Sequence, residues 1–265
     1  LVILEDVEDD LPLPELLHAL GGGIELGSEV ELPKGTGLGT SSILAAALVK
    51  ALTLMGSESD DDVREEQLFD AASAVEQMLT TGGGWQDQVG GVVPGIKLIS
   101  SEPGEFQKLT LRRLDISDDL RGEIDRRLLV IDTGQRRLAK NLLRDIMGSW
   151  LRRDRETMAI LREIQELARQ AAEAIESADF SGLGMILWHH WELNRRLDAG
   201  TSNSFIDALM EALRPHVEGA KLAGAGGGGF LMGVMRPGAR ERILEVLGRD
   251  FAGSNVTVHE GSIAW

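Results

Sequence analysis

No cysteine occurs among the 265 residues. Disulfides, zinc–thiolate sites, iron–sulfur clusters and thiol nucleophiles are therefore excluded, while the compartment is left open. Positive charge is scarce: 27 Lys and Arg stand against 43 Asp and Glu, a formal net charge of -16. A polyanion would be repelled where nucleic-acid binders need a basic footprint, so general nucleic-acid binding is excluded and anionic membrane surfaces are disfavoured. No apolar run approaches the roughly 18 residues of a spanning helix, so a soluble protein with no membrane partner is expected. The first ten residues carry five acids where a secretory n-region would be positive, which makes the cytoplasm the default. The chain opens without methionine inside the run Leu1-Val2-Ile3-Leu4, as a piece cut from something longer would.

What is present is a chain rich in glycine, 32 against 7 prolines, and 43% hydrophobic, sized for one large or two small globular domains. Ile24, Leu26, Val30 and Leu32 share one parity and predict a half-buried strand ending at Pro33. A glycine turn follows. From Thr40 to about Met55 apolar residues recur at helical spacing, with Thr40 or Ser41 as the cap. Asp60, Asp61 and Asp62 open a second helix running to about Leu79, their charge suiting the positive end of the dipole. Strand-like runs at 91–100, 106–111 and 127–133 read as a meander. From about Arg136 to Val217 the pattern is helical, broken near 149–153, 177–184 and 199–204. The tail reads as strand, loop, strand over 220–235, a helix near 238–249 and a last strand over 255–260. A soft boundary falls at 132–136, giving domains 1–134 and 135–265. No repeat of 20 to 50 residues is present, so solenoids are excluded.

Three segments can carry chemistry. In Pro33-Lys34-Gly35-Thr36-Gly37-Leu38-Gly39-Thr40-Ser41-Ser42, alternating glycines let backbone N–H groups approach a ligand at a helix N-terminus, a ready anion site. The three hydroxyls add donors for phosphate oxygens and hard-oxygen ligands for magnesium; a capped glycine turn is the bland alternative. Neither a Walker loop nor the protein-kinase motifs are present. The second segment runs from Glu76 at a helix end through a glycine loop to Asp87, eleven residues on. Phosphoryl transfer to an alcohol needs such a pair, one acid for magnesium and one for the hydroxyl, although a helix-surface Glu and a loop Asp are ordinary. The third, Gly224 to Gly229, satisfies the letters of a dinucleotide fingerprint but precedes a strand instead of a helix, so the Rossmann reading is rejected. Two strands flanking so many glycines suit close approach of backbone to a ligand, or a tight hairpin. The five histidines have no metal-ligand spacing, and Trp188 and Trp191 read as core or groove lining.

A P-x-G-x-G-L-G-[ST]-S loop before a helix, a downstream Glu and Asp, and a late G-A-G-G-G-G loop together resemble the GHMP small-molecule kinases. Within that family, Leu79 to Gly91 with Pro94-Gly95-Ile96-Lys97, and Leu138-Ala139-x-Asn141-Leu142-Leu143-x-Asp145, resemble the L-fucokinase branch from about Gly21 onward. The resemblance implies an α+β, two-layer GHMP-kinase-like fold: an N-terminal strand, glycine loop and helix, then a helical and ferredoxin-like C-terminal portion. It implies ATP-dependent, magnesium-dependent phosphorylation of the anomeric hydroxyl of L-fucose. Carried over by position, Gly35, Thr36, Gly37, Leu38, Gly39, Thr40, Ser41 and Ser42, with Gly226 and Gly227, would hold the ATP phosphates. Ser41 and Glu76 would hold magnesium, Asp87 would act on the sugar hydroxyl, and Trp85, Gln86 and Gly227 would flank the sugar. The family's N-terminal sugar-gripping motif is not found in the chain. The expectation is thus a piece of a longer enzyme, fused to a pyrophosphorylase or completed by a further segment. A heptose-phosphate kinase and a non-catalytic ATP- or sugar-binding remnant are the alternatives, and a nicotinamide oxidoreductase is the weakest.

Overall fold

The computed structural model describes residues 25–30, 37–55, 65–78, 84–104, 108–136, 140–224, 226–259 and 263. The chain divides into two compact units, one of residues 1–33 and 39–92, the other of 34–38 and 93–265.

In the first unit three helices pack together: α1 (Thr40–Met55), α2 (Glu65–Met78) and α3 (Gln86–Val92). Its core is built largely from small residues, Ala45, Ala46 and Ala72 with Leu68, backed by Val49, Val75 and Val92, and such side chains let helix backbones come close. The region of α1 and α2 follows the apolar spacing, but the Asp60–Asp62 start lies outside the described residues. The strand expected over 24–32 is not formed by residues 25–30, which belong to no element and are exposed, Leu26 and Val30 included; alternation alone cannot make a strand without a paired neighbour. The short helix α3 occupies what reads in sequence as loop and the start of a strand. Gly90 and Gly91 argue against a helix, yet a Cβ at Gly91 would overlap the side chain of Ile43 on α1, so the glycine is what lets α3 lie against that helix.

The second unit contains a two-stranded antiparallel sheet, β1 (Lys97–Glu102) with β2 (Lys108–Arg113), and a four-stranded one. The expected meander is corrected here. Strand β3 (Leu128–Asp132) does not continue from β2, because helix α4 (Asp118–Arg127) intervenes and leads it into the other sheet. That helix has Ser117 accepting the Leu120 amide as N-cap, Asp118 and Asp119 in its first turn and Arg126 and Arg127 in its last, all complementing the dipole.

Helices α5 (Lys140–Leu151), α6 (Arg155–Glu176), α7 (Phe180–Leu197) and α8 (Ser204–Leu213) follow, and their breaks fall where the sequence predicts. Asp154, Asp179 and Asn203 cap the last three by accepting amides of Thr157, Gly182 and Ile206. After β4 (Val217–Leu222) and β5 (Phe230–Met235) come α9 (Arg240–Asp250) and β6 (Thr257–His259). The antiparallel order β4-β5-β3-β6, with helices crossing between β3 and β4 and between β5 and β6, is the ferredoxin-like split βαβ arrangement. Its core joins Leu129 and Ile131 of β3 to Leu222 and Leu231, to Trp191 of α7 and to Ile206, Leu209 and Leu213 of α8. Trp191 is thus core, as its spacing suggests. Trp188 packs on the same core, with the Arg214 guanidinium 4.6 Å from its ring centroid. Helix α7 touches β4 backbone to backbone: a Cβ on Gly184 would overlap Glu218, and one on Gly219 would overlap Gly184.

Candidate active site

Helix α1 begins at Thr40, with the Ile43 amide donating to the Gly39 carbonyl. Gly39 therefore takes the position expected of a hydroxyl cap, and the two serine hydroxyls are spent elsewhere. Ser41 Oγ donates to Glu76 Oε1 at 2.9 Å and Ser42 Oγ to Glu76 Oε2 at 2.8 Å. Gln88 Nε2 donates to the same Oε2. Glu76, 5% exposed, and Ser42 and Gln88, at 2% and 1%, form a buried carboxylate surrounded by neutral donors. Hydrogen bonds from these donors take the place of the water that burial removes.

Asp87 lies in the first turn of α3 and not in a loop. It crowds the backbone of Gly39, where an added Cβ would stand 2.7 Å from Asp87 Cβ and 2.8 Å from its Cγ. The Asp87 carboxyl keeps solvent access, yet its pKa is raised, first by desolvation among these neighbours and then by the Glu76 charge. Gly39, Ser41, Ser42, Glu76 and Asp87 are thus brought together within one unit. Beside them Trp85 is half-buried and Gln86 exposed. Gly35 and Thr36 lie outside the described residues.

Gln88, which sequence reasoning did not single out, contributes more than its Nε2 bond. Its Oε1 is buried without a hydrogen-bond partner, a hard oxygen in the company of the Glu76 carboxylate and two hydroxyls. This donor set suits magnesium, which takes oxygen ligands and retains waters, and an orphaned buried acceptor is what an absent water or ion leaves behind. The signal in sequence is the pair of amides flanking Asp87.

Within the second unit, Gly37 meets the late glycine loop, its added Cβ standing 2.9 Å from Ala223 O; Leu38 beside it is half-buried. The loop between β4 and β5 is held from two sides. Gly227 N donates to Thr201 O at 2.5 Å, and Gly229 N to Gln135 O at 2.8 Å. Thr133 donates to Gly229 O through both its amide, at 3.0 Å, and its hydroxyl, at 2.7 Å. At Gly226, φ 89° with Thr201 O 2.8 Å from a would-be Cβ, no other residue fits. The Gly227 amide is already engaged, so a ligand can meet that residue only through its carbonyl or α-carbon. The Asp132–Arg136 pair, 2.7 Å and 2.8 Å across two parallel bonds, ties off the segment that holds the loop. The Arg136 guanidinium keeps the Asp132 carboxyl below the usual range.

Residues 10–95 match the model of the GHMP kinases N terminal domain, and residues 171–253 that of the GHMP kinases C terminal domain. The chain belongs to the GHMP kinase family. It is 39% identical over 241 residues to the bifunctional fucokinase/GDP-fucose pyrophosphorylase of Arabidopsis thaliana, covering 91% of this chain and 23% of that protein. To the L-fucokinase/L-fucose-1-P guanylyltransferase of Bacteroides fragilis it is 36% identical over 236 residues, 89% of this chain and 25% of that one. The chain thus spans about a quarter of the length of these two relatives. Among solved structures, Lactococcus lactis galactokinase complexed with galactose superposes with a TM-score of 0.65 at 16% identity, over 94% of this chain and 73% of that one. The Methanococcus jannaschii mevalonate kinase gives 0.63 at 17%, over 87% and 65%. At these identities the likeness concerns the fold, which is α+β as expected. Among the described residues no helix is long and apolar enough to cross a membrane.

Proposed function

We propose that the chain is the kinase portion of an enzyme that transfers the γ-phosphoryl group of ATP to the anomeric hydroxyl of L-fucose, giving fucose 1-phosphate. The observation that carries the reading is the cluster at the start of α1: two serine hydroxyls on a buried Glu76 carboxylate, with Asp87 against Gly39. The likeness to two fucokinase relatives supports the choice of sugar.

In this reading the loop of residues 35–42 holds the ATP phosphates through backbone amides at a helix N-terminus, and Gly226 and Gly227 are assigned to the phosphates by their place in the family pattern. Ser41 and Glu76 would hold magnesium, with the Gln88 Oε1 a further hard oxygen beside them. When bound there, the ion would supply neutralisation of charge on the phosphates. Asp87 orients the sugar hydroxyl and takes its proton. An ordinary aspartate is a weak base for an alcohol, and the raised pKa of Asp87 moves it toward the task. In a loose, metaphosphate-like transition state most of the rate comes from positioning and charge stabilisation. Trp85 and Gln86 flank the sugar.

The test is ADP release from magnesium-ATP with L-fucose, D-arabinose, D-galactose and a heptose 7-phosphate as acceptors. Release that depends on L-fucose and falls by orders of magnitude in Asp87→Asn, with ATP affinity little changed, is expected. Preference for the heptose phosphate overturns the choice of sugar. Undiminished turnover by Asp87→Asn overturns the role of that residue, and ATP binding without release toward any acceptor overturns the catalytic reading.

A further inference from the structure

The corner where α5 turns into α6 bounds a half-open hollow of about 810 Å³ lined by Trp150, Leu151, Arg153, Arg155, Met158 and Arg162. Its chemistry is at odds with the rest of the chain, which is strongly acidic. Three arginines line one hollow, and among the described residues no carboxylate pairs with any of them. The acids beside them in sequence are engaged elsewhere. Asp154 accepts from Thr157 N and Oγ1, Glu156 pairs with Arg196 at 3.1 Å, Glu163 with His189 at 2.6 Å and Glu166 with Arg169 at 3.0 Å. Between the arginines lie Trp150, 51% exposed, and Leu151, 69% exposed, large apolar surfaces that a folded chain ordinarily covers.

Asp154 N donates to Ser149 O and Arg153 N to Trp150 O, the two bonds that close a helix with a left-handed residue, a place that favours glycine. Here Arg153 takes it with φ 55°. Helix α6 closes in the same way at Ala178, φ 57°, so the geometry is a way of ending a helix, and what sets this corner apart is that the residue in that place is an arginine lining the hollow.

We propose that this corner binds a nucleotide, its base lying on the Trp150 ring and its phosphates meeting Arg153, Arg155 and Arg162. Guanidinium forks match phosphate oxygens, and an aromatic face together with apolar walls suits a planar base. The cavity is of the size of small-molecule sites, and it is bounded by one helix–turn–helix corner where an extended peptide would need a groove.

The test uses the whole chain in EDTA, titrated with ADP and with GDP, reading the tryptophan emission that Trp150→Phe removes. Saturable quenching of that component is expected, weakening with salt. Arg153→Glu/Arg162→Glu should weaken it about 10-fold or more, since two charge-assisted bonds are lost, with helix content by circular dichroism unchanged because both side chains are on the surface. Absence of quenching by either nucleotide at millimolar concentration, or quenching indifferent to the double charge reversal, overturns the proposal. A response to poly-L-glutamate but to no nucleotide overturns it in favour of an acidic protein partner. The readout does not pass through phosphoryl transfer, so a failed kinase assay leaves it intact.

Discussion

Replacing Glu76 separates what the buried carboxylate does for folding from what it does for the metal. In Glu76→Ala the hydroxyl of Ser42 and the Nε2 of Gln88, both almost wholly buried, lose their acceptor, while Ser41 is exposed and can turn to water. Two buried donors left unsatisfied cost about 1–3 kcal/mol each. Removing a carboxylate that was itself costly to bury offsets part of this, so a net loss of about 3 kcal/mol is expected. For a chain of this size that is a thermal midpoint lowered by about 6–12 °C. Glu76→Gln should behave differently. One amide oxygen still accepts from a serine, and the new NH₂ would face the NH₂ of Gln88. If Gln88 turns over, its Oε1, now without a partner, accepts from that NH₂ while its Nε2 takes the place the oxygen held, so the number of unpartnered amide atoms on Gln88 stays at one. The expected cost is about 1 kcal/mol or less. Both variants should lose magnesium-dependent tightening of ATP binding, read by calorimetry with and without the metal. Equal destabilisation of the two variants by thermal circular dichroism would refute the account of Gln88. Undiminished magnesium dependence in Glu76→Gln would refute the metal assignment.

Two further outcomes follow from the packing and charge. Gly219→Ala should destabilise the second unit by about 3 kcal/mol or more, because its Cβ overlaps the backbone of Gly184, and a denaturant midpoint unchanged from the parent would contradict the contact between α7 and β4. Asp87, followed by carboxyl NMR, should titrate above the ordinary aspartate range, and Glu76→Gln should bring it part of the way down, desolvation being the larger cause. Between the ordinary and the raised pKa the folded chain holds a proton that the unfolded chain has released, so this group's contribution to stability declines as pH rises through that window.

How much of this was legible in the sequence depended on whether the signal was local. The bundle breaks were readable because Asp154, Asp179 and Asn203 announce helix starts. Helix α4 carried equally good end signals in Ser117, Asp118 and Asp119, but it buries only Ile124 along its length, so no apolar stripe drew attention to it. Helix α3 was obscured by Gly90 and Gly91, and the reason for Gly91 is a partner side chain, Ile43, nearly fifty residues earlier. The hydroxyl triplet, Glu76 and Asp87 stood out as residue types. What the sequence could not convey was that Ser42 and Gln88 meet on the same carboxylate oxygen, or that the Gly227 amide is already taken by Thr201. Both depend on contacts between distant stretches of chain.

The split arrangement of the four-stranded sheet sets a timetable for the nascent chain. Strand β3 leaves the ribosome about a hundred residues before β5, its first partner, and its other neighbour is β6, Thr257–His259, close to the last residues described. Throughout that interval Leu129 and Ile131, fully buried in the finished molecule, have no strand to pair with, while the intervening helices can form on their own. Translation that stops short of Thr257 would release a sheet with β3 as an open edge, a template for pairing with another chain. Premature termination in this gene should therefore be read out as aggregation and not merely as lost activity.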